Sequence, residues 1–281
     1  MLDLLLGAIA ISFSAVFMKL VAVGPTSAGF YRMLFGGLLL AALLIWRGER
    51  LRLGAAAPWV FAAALAFALD LVLWHRSILA VGTGLATLLA NFQVFLVALA
   101  SVVWLGERGG WRLAVAVPLA LLGLALIVGV DPAALDPAQR VGIALGLGTA
   151  VCYAAYILTL RAARAAAGTS ATGLITAISF ATALLLAGAV PLAGESFAIP
   201  SVRDLGLLVL YGLVGQVLGW VLISRAVDRV PVSRVALVLL LQPVFAYVWD
   251  IAFFGRWFSP TEVAGAMLAL LAIYLGATRR S

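Results

Sequence analysis

Long apolar runs separated by short polar connections dominate the pattern along this chain. Leu113–Val130 and Val235–Phe254 are continuous apolar stretches, close to the roughly twenty residues with which a helix crosses a bilayer. The strands of a membrane β-barrel instead alternate apolar and polar residues over about ten positions. The pattern therefore predicts an all-α integral membrane protein with ten spans, at residues 2–23, 27–46, 58–79, 83–104, 111–130, 141–160, 172–193, 205–227, 232–254 and 260–278.

Composition supports this interpretation. The 281 residues are 65% hydrophobic and 10% charged, with a mean hydropathy of +1.20, whereas soluble domains carry about 25% charged residues. The net charge of +7 comes from basic residues in the short connections between apolar runs. We therefore expect contact with a lipid bilayer and no nucleic-acid partner.

The basic residues also predict an orientation. Twelve of the eighteen lie on the side that the predicted spans assign to both termini. Cytoplasmic connections carry the excess of Lys and Arg, so we expect both termini on the cytoplasmic side of a bacterial cytoplasmic (inner) membrane. The chain enters its first apolar run after Met1-Leu2-Asp3, without the basic start of a signal peptide, and we expect this run to be the first span.

The two halves of the chain resemble each other. A shift of 149 residues places Arg76 on Arg225 and Gln93 on Gln242, and aligns spans four and five with spans nine and ten. This predicts a first repeat at 1–130, a connection at 131–140 and a second repeat at 141–281. A five-helix unit has an odd number of spans, so its second copy must be inverted, as in many secondary transporters.

Several local motifs add a family resemblance. The chain resembles the drug/metabolite transporter superfamily and its EamA family, which includes amino-acid and metabolite exporters of the YddG type. The segments that carry the resemblance are Phe30-Tyr31-Arg32, Val81–Leu85, Trp104–Arg108, Val230–Ser233 and Leu241–Phe245. It implies two inverted five-helix repeats around a central cavity, lined mainly by spans one, three, four, six, eight and nine. One departure is Arg256, which stands where a glutamate equivalent to Glu107 is expected.

The third predicted span carries the deepest acid, Asp70, with Trp74 four residues later on the same helix face. Polar groups at this depth require a partner or a watery cavity. Asp70 either binds a substrate ammonium or a proton, or forms a structural ion pair with Lys19, Arg32 or Arg76. The single histidine, His75, lies either at the cavity mouth or in a structural position.

Three further spans carry polar and aromatic stripes, which suit a cavity for a small amphipathic solute or, alternatively, close helix packing. They are Thr83, Thr87 and Asn91 in span four, Gly146, Thr149, Tyr153 and Tyr156 in span six, and Gly212, Gln216, Trp220 and Ser224 in span eight. We predict a substrate cavity formed by Asp70, Trp74, His75, Thr87, Asn91, Tyr153, Tyr156, Gln216 and Trp220.

A second set of residues suits turns, kinks and symmetric structural roles rather than binding. A proline removes a backbone hydrogen bond and bends a helix, and Gln93 and Gln242 coincide in the repeat. The predicted hinge or structural residues are Gly82, Pro231, Gln93, Gln242 and Pro243.

These observations predict an alternating-access transporter that exports small metabolites, chiefly amino acids with aromatic or apolar side chains. An exporter of hydrophobic cations or drugs is the alternative within transport, and a membrane-embedded enzyme or a non-transporting scaffold is the alternative outside it. With one histidine, one cysteine and no phosphate-binding loop, the sequence predicts no catalytic residue, cofactor or metal. We expect a monomer or a weak homo-oligomer.

Overall fold

The computed structural model describes residues 2–105, 111–128, 136–166, 168, 170–220, 222 and 241–277. Every regular element in these ranges is a helix. Pro231 and Ser224, which the sequence places in a hinge and a polar stripe, lie outside the described residues.

The first half of the chain forms seven α-helices and one turn of 3₁₀-helix, at Gly54–Ala56. The α-helices are α1 (Leu2–Ser12), α2 (Ser14–Leu20), α3 (Pro25–Trp46), α4 (Ala57–Val81), α5 (Thr83–Ala90), α6 (Gln93–Leu105) and α7 (Trp111–Val128). The first predicted span is therefore α1 and α2 together. The fourth is α5 and α6, which are separated at Asn91.

The second half contributes five α-helices and one segment of π-helix, at Gly212–Leu218. The α-helices are α8 (Pro137–Ala166), α9 (Ala171–Leu192), α10 (Val202–Tyr211), α11 (Leu241–Phe254) and α12 (Pro260–Ala277). Pro243 lies in the first turn of the described part of α11, where a proline interrupts no hydrogen bond of that part. The predicted kink therefore cannot be assessed from it.

Several of these helices are suited to a bilayer by length and apolarity. Four are long enough to cross it, at Pro25–Trp46, Gly54–Val81, Pro137–Ala166 and Ala171–Leu192. Five shorter apolar segments accompany them in the described parts of the chain, at Leu5–Leu20, Thr83–Val97, Val115–Ile127, Leu241–Phe254 and Pro260–Leu275. The helical, apolar architecture agrees with the predicted membrane fold, while the total of ten spans and the inverted repeat stay predictions.

Helix α4 lies at the centre of the bundle. It packs along α8 and α9, and α3 packs along α9. Two apolar cores meet at α4: one contains Ile78 and Leu88, and the other contains Phe67 and Tyr156. Helices α7 and α12 pack mainly on each other and join the first of these cores.

The π-helix changes the stripe predicted in span eight. Backbone hydrogen bonds in a π-helix join residues five apart, so this segment departs from the regular α-helix on which the stripe was predicted. The segment lies against α3 at a close approach, where a Cβ added to Gly212 would lie 2.7 Å from the nitrogen of Gly36. Gln216 contacts α9 and Trp220 lines the cavity described below, and their shared role in binding stays a prediction.

Gly82 makes the turn between α4 and α5. Its φ of 89° and ψ of 170° belong to a region that is open almost only to glycine. The N–H of Gly82 still donates to the carbonyl of Ile78 at 2.9 Å, so the chain reverses without a long loop. The assignment of Gly82 as a structural position agrees with this geometry.

We predict that Gly82→Ala lowers the free energy of unfolding by about 1–3 kcal/mol, because alanine is strained in this backbone conformation. The matched control is Gly188→Ala in α9, where an added Cβ meets nothing within 4 Å. Thermal unfolding of both variants in one detergent measures the difference. Equal melting temperatures for the two variants would contradict the prediction.

Candidate functional site

A small cavity of about 60 Å³ lies at the centre of the helical bundle. It is surrounded by side chains from α1, α3, α4, α5, α8 and α11. Two more come from Asn91, just after α5, and Trp220, just after the π-helix. The lining residues are Ile11, Arg32, Phe67, Asp70, Trp74, Thr87, Ala90, Asn91, Thr149, Tyr153, Trp220 and Gln242. Pockets for drug-sized ligands begin at about 300 Å³, so a substrate requires this cavity to widen.

Asp70 reaches the cavity from the middle of α4 and is 6% exposed. Within the described residues it forms no hydrogen bond and no ion pair shorter than 4.0 Å. Lys19 pairs with Asp250 and Arg76 pairs with Glu195, so two of the three structural partners considered for Asp70 are engaged elsewhere. The third, Arg32, lines the same cavity without contacting the carboxylate.

Three hydrogen-bonding groups at the cavity are buried and have no partner among the described residues. They are Nε of Arg32, Nε1 of Trp74 and Oγ1 of Thr87. A buried polar group without a partner costs about 1–3 kcal/mol. Together with the Asp70 carboxylate, these groups give the cavity unsatisfied donors and a free acceptor, which is the chemistry of a polar binding site.

Arg32 and Phe67 line the cavity and are absent from the site predicted from the sequence. The signal for Arg32 was a single charge inside the apolar run of the second span, within Phe30-Tyr31-Arg32, but it was counted among the basic residues of the connections. In the structure Arg32 is 4% exposed. Its guanidinium carbon lies 5.7 Å from the ring centre of Phe67 and 5.2 Å from that of Tyr211.

Aromatic rings form one wall of the site. Phe67 stacks on Tyr156 with ring centres 4.4 Å apart, and Tyr156 lies 6.3 Å from Tyr153 and 6.2 Å from Trp220. Phe67, Tyr153 and Trp220 line the cavity, whereas Tyr156 is buried behind them. This wall suits an apolar or aromatic side chain.

Three predicted site residues lie outside the cavity lining. His75 is fully buried, with both ring nitrogens in hydrogen bonds, which favours the structural alternative over the cavity mouth. Gln216 is buried against α9, where its amide donates to Ser179 at 3.0 Å. Tyr156 packs in the second apolar core.

Asn91 lies at the break between α5 and α6. Its side-chain amide donates to the carbonyl of Thr87 at 2.8 Å, a local bond with which asparagine competes against the helix. Asn91 and Gln242 line the cavity, whereas Gln93 does not. Gln242, predicted as structural, therefore also borders the cavity.

One end of the bundle is closed by polar contacts. We call it the distal end: there α2 meets α3, α4 meets α5, and α9 meets α10. Glu195, in the connection after α9, accepts hydrogen bonds from the backbone and hydroxyl groups of Thr26 and Ser27, at 2.8–3.2 Å. Arg76 adds an ion pair with Glu195 at 3.3 Å. Glu195 thereby ties α9 to the first turn of α3 and to α4.

A second group of contacts closes the distal end near α11. The buried carboxylate of Asp250 accepts a hydrogen bond from the N–H of Gly84 at 2.8 Å and pairs with Lys19 at 3.4 Å. Arg256 donates to the carbonyl of Val81. These bonds join α2, α4, α5 and α11, so opening this end requires several charged groups to separate.

A larger cavity of about 480 Å³ lies at the distal end, beside these contacts. Lys19, Gln139, Arg256 and Glu262 contribute its polar lining. It is separate from the central cavity, with which it shares no lining residue.

The central cavity and its polar lining lie in a chain whose sequence matches a known transporter family. A model of the EamA-like transporter family matches residues 1–129 and 140–278. The chain belongs to the EamA-like transporter family. The resemblance to the drug/metabolite transporters is thereby confirmed: the chain is a multi-pass membrane protein, and its family points to a transporter and not to an enzyme.

Curated relatives of this EamA-like chain carry the names of exporters. It is 30% identical to the pseudopaline exporter CntI of Pseudomonas aeruginosa, over 89% of this chain and 86% of the relative. It is 33% identical over 164 residues to the threonine/homoserine exporter RhtA of Escherichia coli, and 34% identical over 167 residues to RhtA of Salmonella typhimurium. The chain spans about half the length of these RhtA relatives, 53% in each case.

The overall fold of this EamA-like transporter is shared with a solved structure. The chain superposes on a crystal structure with a TM-score of 0.68, at 20% sequence identity, and the match covers 98% of this chain and 97% of the other. At this identity the similarity concerns the fold alone.

A prediction about the distal end concerns Glu195. Burial raises the pKa of this carboxyl, and the hydrogen bonds from Ser27 and Thr26 more than offset burial, so the pKa lies below its ordinary value of 4.5. A carboxyl with a depressed folded pKa stabilises the fold above its unfolded pKa and loses that contribution as the pH falls through the folded value. Glu195→Gln should therefore lower the melting temperature at pH 7, with a difference from wild type that shrinks below about pH 4.

The same variant should expose the backbone amides of Thr26 and Ser27, which Glu195 holds. We expect amide exchange in this segment to rise by about tenfold, which corresponds to 1.4 kcal/mol, within the range for hydrogen bonds to a charged group. Glu49→Gln, in the connection after α3, is the matched control. Unchanged exchange at residues 25–28 would show that Glu195 does not close the distal end.

Proposed function

We propose that this EamA-like transporter exports amino acids or closely related small metabolites by alternating access. The observation that carries the proposal is the central cavity, in which a free carboxylate, unpartnered donors and an aromatic wall surround one small space. The exporter names of the relatives support the direction of transport. The preference for aromatic or apolar side chains rests on Phe67, Tyr153 and Trp220.

Alternating access is supported by the contrast between the cavity and the distal end. Glu195 and Asp250 join helices at that end through hydrogen bonds and ion pairs, which are groups that can separate and form again. The cavity itself is too small for an amino acid in this conformation, so transport must include a state in which the helices move apart. Opening the distal contacts is one such movement.

Helix packing supports the proposed pair of inverted repeats with ten spans. Helix α3 packs on α9, α5 on α11, and α7 on α12. In the predicted repeat these are the equivalent spans two and seven, four and nine, and five and ten. Equivalent helices of two halves meet in this way when an axis in the membrane plane relates the halves. The proposed topology places both termini in the cytoplasm.

Export of hydrophobic cations is the second candidate, because Asp70 has no ion pair with another described residue and lies among aromatic rings that attract cations. Arg32 argues against it. A guanidinium in the same small cavity repels a cation, and the repulsion between two charges is strong where water is excluded. Amino acids therefore suit the site better than drugs that carry only a positive charge.

Counterflow in proteoliposomes tests the proposal. Vesicles containing purified protein are loaded with one unlabelled amino acid, and the accumulation of the labelled form is measured across a panel that includes threonine, homoserine and aromatic amino acids. We expect accumulation above protein-free vesicles for at least one of them. A flat result from folded protein, with accumulation of a labelled hydrophobic cation, would replace amino acids with cations as the substrate.

We predict that Trp220→Ala reduces counterflow of an aromatic amino acid by about tenfold, equivalent to 1.4 kcal/mol, because the variant removes part of the aromatic wall. Trp257→Ala is the matched control, since Trp257 is 90% exposed and lies away from the cavity. Gln216→Ala, outside the lining, should affect counterflow less than Trp220→Ala. Equal activity of Trp220→Ala and wild type would exclude this wall from substrate binding.

A further inference from the structure

Arg32 is buried with very little to neutralise it. Its only hydrogen bond to another described residue runs from Nη1 to the Tyr211 hydroxyl, at 3.4 Å. Nε is buried without a partner, and no carboxylate of the described chain lies within 4.0 Å of the guanidinium. A guanidinium with free donors in an apolar interior is costly unless an anion binds to it.

A chain of hydrogen bonds holds Arg32 in position. The carbonyl of Pro25 can only accept, so Nδ1 of His75 donates to it, at 2.8 Å. Nε2 of the neutral ring then accepts a hydrogen bond from the Tyr211 hydroxyl, at 2.7 Å. The Tyr211 oxygen keeps its lone pairs for Arg32. His75 and Tyr211 are both fully buried, and they act here as positioning residues.

The free donors and the free acceptor belong to one cavity. Arg32 comes from α3, whereas Trp74 and Asp70 come from α4, one helical turn apart. Trp74 presents an unpartnered Nε1–H, so Arg32 and Trp74 together supply donors for an anion. Asp70 faces the same space and can accept from a cation.

From this arrangement we propose that the cavity binds the zwitterion of an α-amino acid. Arg32 and Trp74 bind the carboxylate, and Asp70 binds the ammonium. The proposal rests on the proposed transport function and narrows its substrate class. A zwitterion satisfies both buried charges at once, whereas an amine leaves Arg32 without an anion and a simple acid leaves Asp70 without a cation.

Three related ligands test this assignment. They are the amino acid with the largest counterflow, its primary amide, which lacks the carboxylate, and its deaminated acid, which lacks the ammonium. Binding to purified protein is followed by tryptophan fluorescence, because Trp74 and Trp220 line the cavity. Wild type should bind the amino acid at least about tenfold more tightly than either analogue, since a hydrogen bond to a charged group contributes about that factor.

Each variant should abolish the preference for the amino acid over one of its two analogues. Arg32→Gln should bind the amino acid and its amide equally, and Arg32→Lys should restore part of the difference. Asp70→Asn should bind the amino acid and its deaminated acid equally. Arg50→Gln, an exposed arginine outside the cavity, is the control and should leave all three affinities unchanged.

A structural role for Arg32 predicts a different pattern, in which Arg32→Gln weakens the amino acid and its amide by the same factor. That result would overturn the proposal, whereas the proposed transport of amino acids would still stand.

If Arg32→Gln does not fold, Tyr211→Phe replaces it. The loss of the hydroxyl that positions Arg32 should weaken binding of the amino acid more than binding of its amide. Equal weakening there would also overturn the proposal. The absence of counterflow for every amino acid would instead refute the proposed function.

Discussion

The structure depends on one constraint: inside a bundle surrounded by hydrocarbon, every polar group needs a partner, because an unpartnered one is costly in free energy. Backbone groups meet this requirement by forming helices. At the distal end the charged side chains meet it by pairing: Glu195 with the start of α3 and with Arg76, and Asp250 with Lys19 and the N–H of Gly84. At the central cavity three polar groups of the described residues have no partner, in Arg32, Trp74 and Thr87. In the proposed function a ligand supplies the partners that these groups lack.

This division between satisfied and unsatisfied groups connects the fold to transport. A membrane carrier must hold one end closed with bonds that can separate. Its binding site must also be more favourable with substrate bound than empty. In the proposed mechanism helix α3 takes part in both tasks, since its first turn is tied to Glu195 and Arg32 follows two turns later at the cavity. His75 and Tyr211 join these two regions by hydrogen bonds. Movement of the start of α3 is therefore coupled physically to the position of Arg32.

The candidate site was partly predictable from the sequence, and particular residues show why. Asp70, Trp74, Thr87, Asn91, Tyr153 and Trp220 were selected as polar or aromatic groups inside apolar runs, and the structure places all six around one cavity. Gln216 was selected on its spacing of four from Gly212 and Trp220, but it donates to Ser179 of α9 and does not line the cavity. His75 and Tyr156 face neighbouring helices, because a helix deep in a bundle buries residues on every side. Arg32 was missed because a basic residue near a span end is usually part of the connection.

The sequence by itself determined that this protein lies in a lipid bilayer and is helical, because apolar runs of span length admit few other structures. It also determined the family, because the motifs that carry the resemblance are local. Tertiary structure decided which polar residues are partners and which are free. Asp70 could have paired with Lys19, Arg32 or Arg76, and the packing of α2, α4, α9 and α11 gives Lys19 to Asp250 and Arg76 to Glu195 instead. That outcome depends on contacts between residues up to 231 positions apart. The sequence pattern of one helix does not specify which side chains of another helix will contact it.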